Sequence, residues 1–179
     1  MASNTLQGKR IAFLATDGVE EVEYVKPREA VEQAGGTAEL VSLKSGSIQA
    51  FNHLDQGKTY DVDVTAADAD AGGYDALVLP GGVANPDFLR TDPDAVAFVK
   101  AFFDAGKPVG VICHGPWTLI EADVVRGRRI TSWPSLRTDL TNAGATWVDE
   151  QVVTDGNLTS SRNPDDIPAF CTRIVDQFA

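Results

Sequence analysis

Cysteine and histidine are scarce in this 179-residue chain, which holds two of each: Cys113, Cys171, His53 and His114. Two cysteines make no disulfide framework, and a reducing, intracellular compartment fits them best. A structural zinc site of the Cys/His kind would need all four residues together, so neither a metal nor a cofactor is expected. Basic residues are also few. Fifteen Lys and Arg face 26 Asp and Glu, a formal charge of −11. That balance argues against nucleic acid and anionic membrane surfaces as partners. No apolar run is long enough for a membrane span, and the opening MASNTLQGKR lacks the apolar centre of a signal peptide. These absences together lead to the expectation of a cytoplasmic protein. No repeat, low-complexity tract or linker divides the chain, and residues 1–179 are expected to form one domain.

What is present is an alternation of buried strands and helical patterns. Residues 10–15, within RIAFLAT, read as a first strand. The loop TDGVEEVEY then leads into a helix over PREAVEQAG, closed by Gly35 and Gly36. TAELVSL is a second strand. Two weakly alternating runs around IQAF and TYDVDV predict a hairpin set apart from the main sheet. YDALVLPGG ends a third core strand, and a helix covers roughly Asp94 to Ala105, stopped by Gly106 and Pro108. Beyond the fourth core strand, RRITSW and ATWVDE read as strands flanking a helix over SLRTDLTNAG. VVTDGNLTSS reads as a hairpin. In the closing helix Asn163 is the N-cap, and Ile167, Phe170, Cys171, Ile174 and Val175 share one stripe. Cys171 is therefore read as packing. The order predicts a doubly wound, flavodoxin-like α/β sandwich with a mostly parallel central sheet. Its loops carrying TDGVEEVE, PGG and CHGP should meet at the carboxyl edge of the sheet.

The segment KPVGVICHGPW, residues 107–117, carries the chemistry. Val109 to Ile112 is a buried strand, Cys113 ends it, and a helical pattern follows His114-Gly115-Pro116. Strand, sharp turn and helix around a nucleophile make a nucleophile elbow. The geometry predicts that the His114 amide faces a developing oxyanion and that the helix N-terminus favours the Cys113 thiolate. The elbow pattern prefers a small residue two positions before the nucleophile, where this chain has Val111. His114 could serve as base or as imidazolium partner; the plainer alternative is a turn residue bonded to nearby backbone. Gly82 offers a second oxyanion N–H. Of Glu20, Glu21 and Glu23, at most one should face the site. A carboxyl set against the sulfur would stay protonated, with a raised pKa.

The runs RIAFLATDGVEEVE, YDALVLPGG, KPVGVICHGPWTLIEADVVRGRRIT and VVTDGNLTSSRNPDD resemble the PfpI family. That family is the intracellular cysteine peptidase and stress-protein branch of the class I glutamine amidotransferase-like superfamily, which also holds the Parkinson-associated deglycase. The resemblance implies Cys113 as nucleophile, His114 as its adjacent histidine, Glu20 as the carboxyl bonded to sulfur and Gly82 as oxyanion donor. In peptidase-like members a glutamate from a neighbouring subunit completes the triad just after PGG. Asp87 is the nearest match, one methylene shorter, and its alternative is a solvated helix N-cap. A homodimer or higher homo-oligomer is implied with it.

Three functions follow. The first is a stress-related cysteine hydrolase acting on small carbonyl compounds, glycated groups or peptides, with peptidase/amidase or glyoxalase/deglycase activity. The second is a redox-responsive protein whose Cys113 oxidises beside Glu20. The third is an oligomeric chaperone-like module with Trp117, Trp133 or Phe88 on an apolar patch.

Overall fold

The computed structural model describes residues 4–179. Strand β1 (Arg10–Leu14) lies in the interior of a seven-stranded sheet. The short strand β2 (Val19–Glu20) leads into helix α1 (Glu21–Gln33) and then strand β3 (Thr37–Ser42) beside β1. Strands β4 (Ser47–Asn52) and β5 (Asp55–Asp61) form the predicted hairpin, with β2 paired to β4 outside the main sheet. Strand β6 (Val64–Thr65) returns to the edge next to β3. The chain then crosses to the other side of β1 as strand β7 (Ala76–Leu79), followed by helices α2 (Ala84–Leu89) and α3 (Pro93–Asp104). Strand β8 (Val109–Ile112) and helix α4 (Pro116–Glu121) form the elbow unit.

Strand β9 (Arg129–Ile130), helix α5 (Arg137–Asn142) and strand β10 (Thr146–Trp147) come next. Strands β11 (Val152–Asp155) and β12 (Leu158–Ser161) precede helix α6 (Ile167–Phe178). The sheet order is β11-β12-β8-β7-β1-β3-β6, parallel throughout except for β11. A mostly parallel, doubly wound α/β sheet is what the alternation predicted.

The parallel strands are buried on both faces, so their side chains divide between two cores. Ile11 and Phe13 join the layer under α1 and α6; Ala12 and Leu14 join the layer under α3 and α4. In α3, Asp92 caps the first turn by accepting from the Ala95 N–H at 2.9 Å. Pro93 follows, where no N–H is needed, and Ala95, Phe98, Val99 and Phe102 form the buried stripe. Emptying the Phe102 site would cost about 3–5 kcal/mol, the range for a phenylalanine deleted to alanine in a core.

Three boundaries differ from the sequence reading. Helix α1 begins six residues before Pro27, which therefore sits inside it. Residue 27 has no N–H to reach the Glu23 carbonyl, so the helix forgoes that bond in its second turn. The helix α2 was not anticipated. RRITSW and ATWVDE shrink to β9 and β10, which pair with each other in a separate two-stranded sheet. Thr131 N–H is taken by the Ser160 hydroxyl at 3.0 Å, so this segment bonds to the main sheet through a side chain and does not extend the ladder.

Candidate active site

The loops after β1, β7 and β8 converge, as the topology requires. β3 lies on one side of β1 and β7 on the other, and the crevice of such a sheet opens at that reversal. Cys113 stands at the end of β8 with φ +64°, a left-handed conformation uncommon for a residue with a side chain. Its N–H donates to Ser161 O at 3.1 Å and its carbonyl accepts from Trp133 N–H at 2.9 Å, which pins the bend. The missing small residue before the nucleophile is made up after it. A Cβ on Gly115 would come 2.7 Å from Val111 Cγ2 and 2.9 Å from Leu79 O. Gly115 therefore makes the room that Val111 needs.

Cys113 is not pressed into the open. It is 5% exposed and forms the floor of a pocket of about 430 Å³. The His114 Nδ1 lies 3.1 Å from its sulfur. The ring stacks on Trp133 with centroids 5.6 Å apart and meets the edge of Trp117 at 5.3 Å. This enclosure buries the imidazole and lowers its pKa to about 4, so it is neutral near pH 7. The backbone amides of Gly82 and His114, the two that the sequence reading expected at an oxyanion, favour charge on the sulfur.

The carboxyl against the sulfur is Glu23, and Glu20 is not. Glu23 is fully buried; its Oε2 accepts from the Gly81 N–H at 2.8 Å. Its Oε1 is sealed from solvent without a hydrogen-bond partner, and the carboxyl's other neighbours are the Cys113 thiol and the Gly82 amide. Burial, and secondarily the charge of Glu20, raise its pKa to about 8. Glu20 instead accepts from the His53 N–H at 3.1 and 3.4 Å on the pocket wall. The reason is where the helix starts. Val19–Glu20 is extended and paired with β4, so residue 20 faces the hairpin, while Glu23 lies in the first turn of α1 on its inward stripe. That stripe was the available signal: Glu23, Pro27, Val31 and Ala34 are spaced as one buried helical face.

The expectation of a lowered Cys113 pKa is reversed by burial. Desolvation and the neighbouring Glu23 charge push the thiol well above its ordinary range, against the pull of the two amides. α4 has only six residues, too few for its dipole to outweigh that loss of solvent. When Glu23 carries a proton, its charge no longer opposes a thiolate, and it can donate to the sulfur.

Gly81 and Gly82 let the three loops close up. A Cβ at Gly81 would sit 2.5 Å from Glu23 Oε2 and 2.6 Å from Cys113 Cβ. Gly82 has φ +79°, and a Cβ there would be 2.3 Å from Gly18 O. The hairpin tip adds Phe51, His53 and Leu54 to the pocket wall, and Pro164 adds to its rim; the sequence reading had none of these. Asp87 is exposed on α2 and does not line the pocket of its own chain. Phe88 beside it is 51% exposed. Trp133 serves mainly as the lid on His114, and Trp117 is half-buried with Arg90 over its ring. Among the described residues no group of three metal-ligating side chains occurs, and no helix is long and apolar enough to cross a membrane.

A cysteine on a positive-φ bend between strand and helix, beside an imidazole and a buried carboxyl in the lining of a pocket, defines the class: an α/β protein whose strand–bend–helix elbow presents one sulfur. Residues 9–177 match the DJ-1/PfpI family, and the chain belongs to it. It is 43% identical to a proposed cysteine protease, YraA, of Bacillus subtilis over 162 residues, 90% of this chain and 94% of the relative. It is 41% identical over 166 residues to Deglycase TK1284 of Thermococcus kodakarensis, covering 93% of this chain and 97% of the other. Among solved structures, DJ-1beta of Drosophila melanogaster superposes with a TM-score of 0.86 at 26% identity, over 96% of this chain and 90% of that one. A two-domain protein of Anabaena variabilis with DJ-1/ThiJ/PfpI-like and ferritin-like domains gives 0.90 at 35% identity. The match covers 94% of this chain and 48% of that protein, so this chain spans about half its length.

Proposed function

We propose that this protein is a stress-related, cofactor-free hydrolase of the PfpI type in which Cys113 attacks carbonyl carbon, with glycated amines and small carbonyl compounds as its substrates. The observation that carries the reading is the 3.1 Å contact between Cys113 Sγ and a neutral His114 ring, with Glu23 and two amides around the same sulfur. The deglycase name borne by the Thermococcus kodakarensis relative favours adducts over long peptides, and a pocket of about 430 Å³ suits a small ligand.

In the first step Sγ bonds to the carbonyl carbon and the thiol proton passes to His114 Nδ1. The carbonyl π pair moves onto oxygen, which the Gly82 and His114 amides hold. For an amide, collapse releases the amine with the proton returned from the imidazolium, and water hydrolyses the thioester to an acid. For the aminocarbinol formed by an amine and an α-oxoaldehyde, the sulfur replaces the amine on the carbinol carbon, giving a hemithioacetal. The proton on that carbon then moves to the neighbouring ketone carbon through an enediol, so one carbon is oxidised as the other is reduced and a 2-hydroxy thioester forms with no outside oxidant. Water releases the 2-hydroxy acid, and the balance is adduct plus water giving amine plus 2-hydroxy acid. Glu23 keeps its proton and donates to sulfur whenever the sulfur is charged.

The same contact favours a second reading. A protonated Glu23 would donate equally well to a sulfur oxidised by peroxide, so Cys113 is also the residue that oxidative stress modifies first. We further assign Asp87, on the exposed face of α2 with Val83 and Phe88, to a contact between subunits of a homo-oligomer, where it would reach a neighbour's pocket.

The test is a panel of methylglyoxal, methylglyoxal-treated amines and fluorogenic peptides, run on wild type and Cys113→Ser. Turnover of at least one substrate should fall more than about 1,000-fold in the variant, with an unchanged circular dichroism spectrum. Equal turnover in the two proteins overturns the reading.

A further inference from the structure

The pocket above Cys113 holds one carboxyl group that the chemistry above leaves unused, Glu20. Of the residues lining it, Glu20 and Glu23 carry carboxyl groups, and none is Lys or Arg. Glu20 is 9% exposed and cannot swing away, because both its oxygens accept from the His53 N–H at 3.1 and 3.4 Å. Its only ion-pair neighbour among the described residues is the His53 ring, at 4.0 Å, and that ring is 85% exposed on the hairpin tip. His53 has φ +59°, a conformation that most side chains avoid. The hairpin tip and the carboxylate therefore fix each other in place. Most of the remaining lining is apolar, from Phe51, Leu54, Val83 and Trp133 among others. A charge entering such a pocket loses hydration and feels a fixed carboxylate through poorly screening surroundings.

We propose that Glu20 selects substrate charge: it admits neutral and cationic carbonyl compounds, such as aldehyde adducts of lysine and arginine side chains, and turns away those that carry carboxylate or phosphate. This rests on Cys113 being the reacting group, as argued above. It gives the pocket carboxylate a task distinct from that of Glu23. Glu23 touches the sulfur, while Glu20 acts on what approaches it.

The experiment uses two thiol reagents of similar size and opposite charge, trimethylammonium-ethyl and sulfonatoethyl methanethiosulfonate. Each transfers its thio group to Cys113, forming a mixed disulfide and releasing methanesulfinate. The full chain carries Cys171→Ala so that one thiol reports, and rates at pH 7.5 are divided by those for free 2-mercaptoethanol. The cation should react more than about 50-fold faster than the anion, and Glu20→Gln should cut that ratio about tenfold, chiefly by speeding the anion. Glu20→Asp, which keeps the charge, should hold most of the ratio. Asp104→Asn, an equal charge change outside the pocket, should alter it less than twofold. An unchanged ratio in Glu20→Gln, or equal losses in Glu20→Asp and Glu20→Gln, overturns the proposal. Cys113-dependent turnover of phenylglyoxal and of anionic 4-carboxyphenylglyoxal, two α-oxoaldehydes with the same reacting carbons, is measured alongside. Preference for phenylglyoxal that Glu20→Gln relaxes supports charge selection. If neither compound is turned over while the reagent ratio behaves as stated, the hydrolase reading fails and charge selection stands.

Discussion

The two cysteines of this chain make a controlled comparison. Both are free thiols, and burial pushes both up, Cys171 to about 11. Cys171 on α6 is the more accessible, packed at the margin of the core beneath α1 and α6. Cys113 is the more deeply buried, yet it has an imidazole at 3.1 Å, a carboxyl and two amides on its sulfur. Accessibility alone would choose the residue that the proposed chemistry does not use. What separates them is the company each sulfur keeps: groups that can take its proton, give one back, and hold the charge that moves to the attacked oxygen.

The comparison can be broken most severely at Gly81. Gly81→Ala puts a Cβ against both Glu23 and Cys113. It should lower activity at least 100-fold and destabilise the fold by about 1–3 kcal/mol, as overpacking does; turnover together with thermal unfolding checks it. Glu23→Gln comes next, with an expected loss of roughly tenfold to 100-fold in kcat/KM. It also has a signature in stability. The folded chain holds the Glu23 proton up to about pH 8, whereas the unfolded chain releases it near 4.5. Stability from this group is therefore complete below 4.5 and falls as pH rises to about 8. Urea titrations at pH 5 and pH 8 should show a decline in wild type that Glu23→Gln flattens. The smallest effect should come from Cys171→Ser. Activity should change less than twofold, with a stability loss of about 1 kcal/mol or less for a half-buried site. A large activity loss there would erase the distinction between the two sulfurs.

Much of this was legible in the sequence because it was written locally. Val109 to Ile112, then Cys113, then Gly115 and Pro116, is a strand, a bend and a helix start within eight residues, and the structure keeps all three. Strand alternation likewise gave the sheet. What could not be read was helical phase. Pro27 looks like a first-turn residue, which starts α1 six positions late and leaves Glu20, Glu21 and Glu23 equivalent. Only the onset of the helix at Glu21, set by the pairing of β2 with β4, sends residue 20 to the hairpin and residue 23 to the sulfur. The pull of solvent loss on Cys113 was equally hidden. Depth comes from the hairpin tip and Trp133, segments 60 and 20 residues away in sequence.

That hairpin belongs to no part of the central sheet; β4 pairs with β5 on one side and with the two residues of β2 on the other. Its tip nevertheless supplies Phe51, His53 and Leu54 to the cavity. Much of the pocket wall is thus carried on a support separate from the strand that bears the sulfur. Grafting a different β4–β5 turn onto this scaffold would be a route to new selectivity that leaves Cys113, His114 and Glu23 on their own elements.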